Sequence, residues 1–174
     1  MNPRLAQLDS ETKVLESPHA HKDELRLWLR LLTCTNLIEA GIRKRLAERF
    51  DTTLPRFDLL AQLERAPKGM TLGDLSRRMM VTNGNVTGLV ERLVQSGHLK
   101  RSSLPGDRRV QIVKLTSKGQ THFNRIAAAH EQWIAEFFAG LSPRDIDGLI
   151  QSLGKLKESV RSANLAARPG RHAA

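Results

Sequence analysis

Apolar residues recur at helical spacing over the long segment from about Lys22 to Phe50. The stripe consists of Leu25, Trp28, Leu29, Leu32, Ile38, Ile42, Leu46 and Phe50. This period predicts one helix that is much longer than the average of about three turns. Since one small domain cannot cover a stripe of that length, part of it is expected to meet another protein surface.

Three shorter helices are predicted next, each with its own starting residue. Pro55 fits the first position of a helix that stops before Pro67. The apolar residues of that helix are Phe57, Leu59, Leu60 and Leu63. Thr71 can cap a second helix in which Asp74 is the third residue, and Thr82 can cap a third helix.

The helix that follows Thr82 is predicted to have two unlike faces. The face turned away from its apolar residues presents Gly84, Asn85 and Gly88, which are small or amide residues. Such a face lets the backbone approach DNA closely while asparagine amides bond to base edges. A surface helix without a partner explains the two-helix pattern equally well. The helix is expected to end at Gly97, because glycine favours the left-handed conformation that commonly follows a helix. The apolar face consists of Val86, Leu89, Val90, Leu93 and Val94.

A basic hairpin favours the DNA-binding interpretation. Strand-like segments from His98 to Ser103 and from Val110 to Leu115 flank a turn that contains Arg108 and Arg109. Arginine at a hairpin tip suits a narrow minor groove, where the negative potential is strongest. Two capped helices and a basic hairpin indicate a winged helix-turn-helix, so the expected fold class is mainly α with a small β-hairpin wing.

Helical spacing returns after the hairpin. One helix is predicted from about Ser117 to Ala139, and another begins after Ser142, an N-cap that is followed by Pro143. The last helix is expected to end near Asn164. Its apolar stripe consists of Ile146, Leu149, Ile150, Leu153, Leu156 and Val160.

Composition and charge narrow the class of protein. The 174 residues are 40% hydrophobic and 26% charged, which is the balance of a globular domain. A formal net charge of +10 fits a nucleic-acid partner. Between Gly97 and Gly119 the acidic residue Asp107 stands alone against the cations Lys100, Arg101, Arg108, Arg109, Lys114 and Lys118.

Targeting and redox features point to the cytoplasm. No apolar run approaches the roughly 18 residues of a membrane span, and the N-terminus lacks the order of a secretory signal. We therefore expect a cytoplasmic protein without a membrane partner. The single cysteine, Cys34, excludes an intrachain disulfide framework.

The chain resembles the MarR-type transcriptional regulators. The resemblance covers about Lys22 to Asn164 and is most specific from Thr71 to Gly119. It rests on the Val-Thr-x-x-x-Val-Thr-x-Leu-Val-Glu-Arg-Leu run that starts at Val81, the Ser96-Gly97-His98-Leu99 exit, the Asp107-Arg108-Arg109 tip and the Leu115-Thr116-x-x-Gly119 closure. It implies a homodimer of winged-helix subunits that represses promoters until a small molecule releases it.

The resemblance also assigns DNA contacts residue by residue. Arg109 is implied to enter the minor groove with Asp107 holding its side chain. Arg108 and Lys118 are expected to contact phosphates, although a solvated basic rim is the alternative. The positions expected to meet the major groove are Thr82, Asn83, Gly84, Asn85, Thr87 and Gly88.

Two departures from the family pattern leave the operator sequence open. Gly88 stands where many relatives have a long basic residue. Leu104 and Gly106 replace the first acid and the first arginine of the longer wing signature.

The chain is expected to divide into five segments. Residues 1–20 form a mobile arm, 21–54 a first dimerisation helix, 55–115 the winged helix-turn-helix lobe, 116–165 the C-terminal dimerisation helices and 166–174 a flexible tail. Two-fold symmetry predicts a pseudo-palindromic operator in double-stranded DNA, with half-sites about one helical turn apart.

An effector site is expected between the dimerisation helices and the DNA-binding lobe, as in relatives. Its candidate lining is Trp28, Leu32 and Phe57, for which core packing is the alternative. Arg26 and Arg30 are candidate partners of an anion, against the alternative of a solvated face. The ligand class favoured is an aromatic acid or its coenzyme A thioester, which some relatives that control aromatic catabolism recognise.

Other classes are weighed against this interpretation. An enzyme is disfavoured because the sequence has no phosphate-cradling glycine loop, nucleophile elbow or metal-ligand spacing, and no catalytic residue or cofactor is assigned. A sequence-independent architectural DNA binder stays open as the rival function. Redox sensing by Cys34 is not favoured, because a mid-helix cysteine is more often buried. Metal binding is weaker still, since His19 and His21 are the only close pair among the six scattered histidines.

Overall fold

The computed structural model describes residues 22–104 and 107–166, and side chains at 23–103 and 111–166. The predicted arm at residues 1–20, including His19, and the tail beyond residue 166 lie outside the described residues, as do His21 and Gly106. The elements in chain order are α1 (Lys22–Phe50), α2 (Leu54–Glu64), β1 (Met70–Thr71), α3 (Leu72–Met79), α4 (Asn83–Gln95), β2 (Leu99–Leu104), β3 (Asp107–Leu115), α5 (Ser117–Phe138) and α6 (Pro143–Ala166).

The fold is mainly helical with one small antiparallel sheet, which confirms the predicted class. The sheet has three strands in the order β1-β3-β2, one more than the predicted hairpin. Met70 pairs with Val113, and Thr71 pairs with Ile112. Strand β1 has two residues, which is too short to produce the alternation from which a strand is predicted.

Helix starts occur where local chemistry predicts them. Pro55 lies in the first turn of α2. Thr71 accepts a hydrogen bond from the Asp74 amide at 3.1 Å, and its hydroxyl donates to Asp74 Oδ2 at 2.8 Å. At the start of α6, the Asp145 amide donates to the Ser142 hydroxyl, and Asp145 Oδ2 accepts from the Ser142 amide at 3.0 Å. Each cap satisfies amides that a helix start leaves without partners.

The core of the winged helix confirms the predicted apolar faces. The buried ring of Phe57 stacks on the ring of Phe123, with centroids 5.8 Å apart. This core holds α4 so that its opposite face points to solvent. The main cluster joins Leu59, Leu60 and Leu63 of α2, Leu75 of α3, Val86, Val90 and Leu93 of α4, and Met70, Leu99 and Val113 of the sheet.

The two long helices expose much of their apolar stripes. In α1, Ile42 and Leu46 are buried, whereas Leu25, Trp28 and Leu32 are exposed. Helix α6 has no buried residue. Its exposed apolar side chains are Leu149, Ile150, Leu153, Val160 and Leu165.

The described residues form two compact units, one that ends at Trp133 and one that begins at Ile134. Helix α1 and most of α5 therefore belong to the same unit as the winged helix. Among the described residues, no helix is long and apolar enough to span a membrane.

Candidate nucleic-acid interface

Helix α4 presents a small polar face to solvent. Thr82, Asn83, Gly84 and Asn85 are exposed, and Thr87 and Gly88 are half-buried, so all six predicted groove positions lie at the start of this helix. A β-carbon added at Gly84 or Gly88 would meet nothing within 4 Å. The face therefore lacks side-chain bulk at two positions, which leaves the helix backbone accessible to a large ligand.

Local hydrogen bonds divide the polar groups of this face. The backbone N–H of Asn85 donates to Thr82 Oγ1 at 3.4 Å, and this hydrogen bond caps the helix. The Thr87 hydroxyl donates to the Asn83 carbonyl at 2.9 Å, so its hydrogen is used within the helix. The exposed side-chain amides of Asn83 and Asn85 are therefore the groups best suited to bond base edges.

A groove of about 410 Å³ lies beside α4. Gly84, Asn85, Gly88 and Arg92 line it from α4. Pro55 closes it from the start of α2. The missing side chains of the two glycines thus open a concave surface directly beside the exposed amides.

The turn between α3 and α4 sets the direction in which α4 begins. Met80 adopts the left-handed conformation with φ of 55° and is 92% exposed. The Ser76 hydroxyl donates to the Val81 carbonyl and closes the turn.

At the start of α3, hydrogen bonds from Thr71 and then from Arg77 lower the pKa of Asp74. The carboxylate stays ionised there, where it complements the helix dipole.

The wing is attached to α4 as well as to its own sheet. Strands β2 and β3 pair from Leu99 with Leu115 outward to Leu104 with Asp107. An ion pair of 3.8 Å joins Arg101 of β2 to Glu91 of α4. The backbone of Asp107, Arg108 and Arg109 belongs to β3, while the contacts predicted for their side chains lie outside the described side chains.

Lys118 has a partner within the fold that the sequence did not reveal. Its Nζ donates to the Ser96 carbonyl at 2.8 Å. That oxygen belongs to the C-terminal cap of α4, so the ammonium group supports the end of the helix. An ammonium group has three N–H donors, and a phosphate contact by Lys118 stays a prediction.

Comparisons with known proteins agree with this geometry. The model of the MarR family matches residues 50–110. A MarR family transcriptional regulator from Silicibacter pomeroyi is 33% identical, with a TM-score of 0.71 over 83% of this chain and 99% of that one. The chain belongs to the MarR family.

Two curated relatives extend the comparison. The uncharacterized HTH-type transcriptional regulator YkoM of Bacillus subtilis is 37% identical over 84 residues, which are 48% of this chain and 54% of that protein. The transcriptional activatory protein BadR of Rhodopseudomonas palustris is 29% identical over 140 residues, 78% of this chain and 79% of BadR. Both relatives are named as transcriptional proteins and not as enzymes. The aromatic-acid branch within the family stays a prediction.

The effector residues predicted for a MarR-family protein fall into two groups. Trp28 and Leu32 are 57% and 39% exposed on α1. Phe57 is buried and also contacts His130, with ring centroids 5.1 Å apart. The structure of one chain therefore does not bring Phe57 onto one surface with Trp28 and Leu32.

The two candidate arginines lie together on α1. Arg26 and Arg30 line a depression of about 180 Å³ with Asp23 and Leu27. Arg26 Nη1 also donates to Asp23 Oδ1 at 3.4 Å. One carboxylate already shares this depression, so an anion there competes with Asp23.

Cys34 differs from the expectation of a buried thiol. It is a free cysteine exposed on α1 of the single chain. Leu37 is exposed as well and Ile38 is half-buried, because the helix extends beyond the core that covers Ile42 and Leu46. Among the described residues, no group of three or more metal-ligating side chains occurs.

Sequence reasoning missed the joint between the end of α4 and the start of α5. The Thr116 hydroxyl lies 2.8 Å from the Gly97 carbonyl and 3.1 Å from that of His98. Its oxygen accepts from the Gly119 amide at 3.0 Å. The Leu-Thr-x-x-Gly closure contains Thr116 and Gly119, but the closure alone does not reveal the partners of Thr116, which lie eighteen and nineteen positions earlier in the winged helix.

Proposed function

We propose that this MarR-family protein is a homodimeric, sequence-specific DNA-binding repressor that a small anionic or aromatic ligand releases from its operator. The observation that carries the proposal is the asymmetry of α4. Val86 and Val90 are fully buried on one side, and Gly84 and Asn85 are exposed on the other. A helix that is anchored by buried valines on one side and has a small polar face on the other suits insertion into a major groove.

Each part of the surface has its own role in this proposal. Asn85 bonds a base edge, most favourably adenine, through its amide. Gly84 and Gly88 allow the helix backbone to lie close to the DNA. Arg109 enters the minor groove with Asp107 orienting it, and Arg108 contacts the phosphate backbone, which supplies affinity without base preference.

The exposed apolar stripes support a dimer. Five large apolar side chains of α1 and five of α6 are exposed: Leu25, Leu27, Trp28, Leu32, Leu37, Leu149, Ile150, Leu153, Val160 and Leu165. A row of exposed apolar side chains on either helix is typical of a protein interface. We assign residues 21–54 and 116–165 to dimerisation and 55–115 to DNA binding. A two-fold dimer then reads a pseudo-palindrome.

The effector proposal concerns the exposed half of α1. Trp28 and Leu32 offer an aromatic and an aliphatic surface on α1, and Arg26 and Arg30 lie on another face of the same helix. An aromatic acid, or its coenzyme A thioester, needs both apolar surface and a guanidinium group. In a dimer, a partner subunit would complete such a site.

Footprinting of the promoter beside its own gene tests the DNA-binding proposal. We expect a protected pseudo-palindrome with half-sites about one helical turn apart. Uniform protection along the fragment would instead establish the architectural alternative. Transcription in vitro from the same fragment gives the direction of regulation, which matters because BadR is named an activatory protein.

The effector proposal needs a separate test. Calorimetric titration with aromatic acids and their coenzyme A thioesters should show saturable binding that weakens in Arg30→Gln, with exposed Lys155→Gln of α6 as the control. The same ligands should release the operator in a gel shift. Binding of other ligand classes with none by these two would refute the assignment.

A further inference from the structure

A second groove, which is basic, lies between the start of β2 and the first turns of α5. Its volume is about 400 Å³. None of its lining residues carries a carboxylate, and four of them are basic: one lysine, one arginine and two histidines. The lining consists of His98, Ser117, Lys118, Thr121, His122 and Arg125.

Two histidines form the wall of this groove. The rings of His98 and His122 lie 4.5 Å apart between centroids. The same two rings line an adjoining cavity of about 290 Å³, to which Arg56 of α2 and Arg92 of α4 also contribute. Among the described residues that line the two cavities, Asp51 is the one carboxylate. The pair therefore lies within an excess of positive charge.

The cations of the groove keep donors for a ligand. Among the described residues, neither Lys118 nor Arg125 forms an ion pair with a carboxylate. Lys118 uses one of its three N–H groups on the Ser96 carbonyl. His98 Nδ1 contacts the Ser96 hydroxyl at 2.8 Å, so Nε2 is the nitrogen that remains for a ligand.

The histidines respond to the same charges. Burial, the neighbouring His122 and Lys118 lower the pKa of His98. Burial, Arg125 and Lys118 lower the pKa of His122. An anion in the groove would oppose all of these charges and favour the imidazolium forms.

We propose that this groove binds a small oxyanion through Lys118, Arg125 and the imidazoles of His98 and His122. The chemistry required is a sulfate-, phosphate- or carboxylate-like group. A backbone phosphate of DNA has the same chemistry, but the 13 residues of α4 place its exit about 20 Å along the helix from its start. We therefore assign the groove to a free small molecule.

Binding there reaches α4 through contacts already described. Ser96, at the C-terminal cap of α4, meets both Lys118 and His98. An oxyanion that draws the ammonium or the imidazole toward the groove weakens the support of that cap. The site is separate from the α1 residues of the proposed effector site, and its existence does not depend on DNA binding.

Proton linkage gives the site a specific signature. Because an anion raises the pKa of either histidine, its affinity is greatest at acidic pH and falls as the pH rises through the ligand-bound pKa. The other charges facing the pair are Lys118 and Arg125 of α5, Arg92 of α4, Arg56 of α2 and Asp51 before α2. Lysine and arginine keep their charge over the range in which histidine titrates.

The test is a titration of the full chain with sulfate, in which the NMR signals of the histidine ring protons are recorded at each sulfate concentration. Sulfate is the probe because its own charge is constant between about pH 5.5 and about pH 8, where histidine titrates. We expect saturable shifts at His98 and His122, with tighter binding at the lower pH. Arg125→Gln should weaken binding about tenfold. Arg144→Gln, an exposed arginine of α6, should leave the affinity unchanged.

Three outcomes separate the possibilities. Absence of saturable shifts, or equal loss in Arg125→Gln and Arg144→Gln, would overturn the proposal. A sulfate response that persists when the protein is saturated with a duplex assigns the site to a free oxyanion. A duplex that weakens the response but leaves it saturable is the reciprocal effect of the coupling through Ser96, whereas a response that the duplex abolishes at every sulfate concentration overturns the assignment to a free small molecule and gives the groove to a DNA phosphate. Because the first titration contains no DNA, its result is independent of the proposed regulatory function.

Discussion

Gly119 lies directly against the carbonyl of His98: a β-carbon at position 119 would lie 2.0 Å from that oxygen. The nearest atoms belong to backbone, which moves less readily than a side chain. We expect Gly119→Ala to lower the free energy of unfolding by about 1 to 3 kcal/mol through overpacking. Urea denaturation measures it. Gly148→Ala in α6, where a β-carbon meets nothing within 4 Å, is the matched control.

The glycines of α4 predict the opposite effect. Gly84→Ala and Gly88→Ala should each raise the free energy of unfolding by about 0.5 to 1 kcal/mol, because alanine loses less entropy in a helix. The added methyl groups have space in the protein but would separate the helix from DNA. Operator affinity should therefore fall while stability rises. Unchanged affinity in both variants would refute a close backbone approach.

The amide of Asn85 and the guanidinium of Arg109 are expected to act differently. Asn85→Ala should reduce discrimination at one base pair by about 1 to 3 kcal/mol if the amide makes a bidentate contact. Arg109→Ala should weaken binding to all sequences and reduce the salt dependence. A binding assay over a library of operator variants at two salt concentrations measures both. Gln95→Ala, exposed at the far end of α4, is the control.

The stripe of α6 predicts the assembly state. Ile150 is 64% exposed in the single chain. Ile150→Glu should weaken self-association by more than about tenfold, because the carboxylate would be buried at the interface. Light scattering after size-exclusion chromatography measures the mass. Gln151→Glu adds the same charge away from the stripe and should leave the mass unchanged, and a dimer that survives Ile150→Glu argues against this helix as the interface.

Histidine titration predicts how stability depends on pH. Burial lowers the pKa values of His98, His122 and His130 below their usual 6.5. Unfolded histidine binds protons more readily, so stability is complete above pH 6.5 and is lost as the pH falls toward the lowered values. The Tm should therefore fall on acidification. His122→Gln should flatten this dependence, and a Tm that is equally pH-dependent in the variant would show that other groups dominate.

Much of the winged helix could be predicted because its determinants are local. Thr71, Thr82 and Ser142 act as caps within three residues of their partners, and Pro55 needs only its own ring geometry. The apolar arc of α4 follows from helical period alone. Such features require no knowledge of distant contacts.

Other features depend on residues that are distant in the sequence. Strand β1 exists because Met70 and Thr71 meet β3 about forty positions later. Lys118 Nζ donates to the Ser96 carbonyl, which lies 22 positions earlier in the sequence. The exposure of Cys34 likewise depends on where the core under α1 ends. Spacing in the sequence contains none of this information.

The absence of any buried residue in α6 has a quantitative consequence for the cell. If the apolar stripe is covered by a second subunit, paired protein in dilute solution rises with the square of total subunit concentration. Halving the copy number then leaves about a quarter of the paired form. A promoter read by both halves at once would therefore respond to gene dosage more steeply than in proportion, before any small molecule takes part.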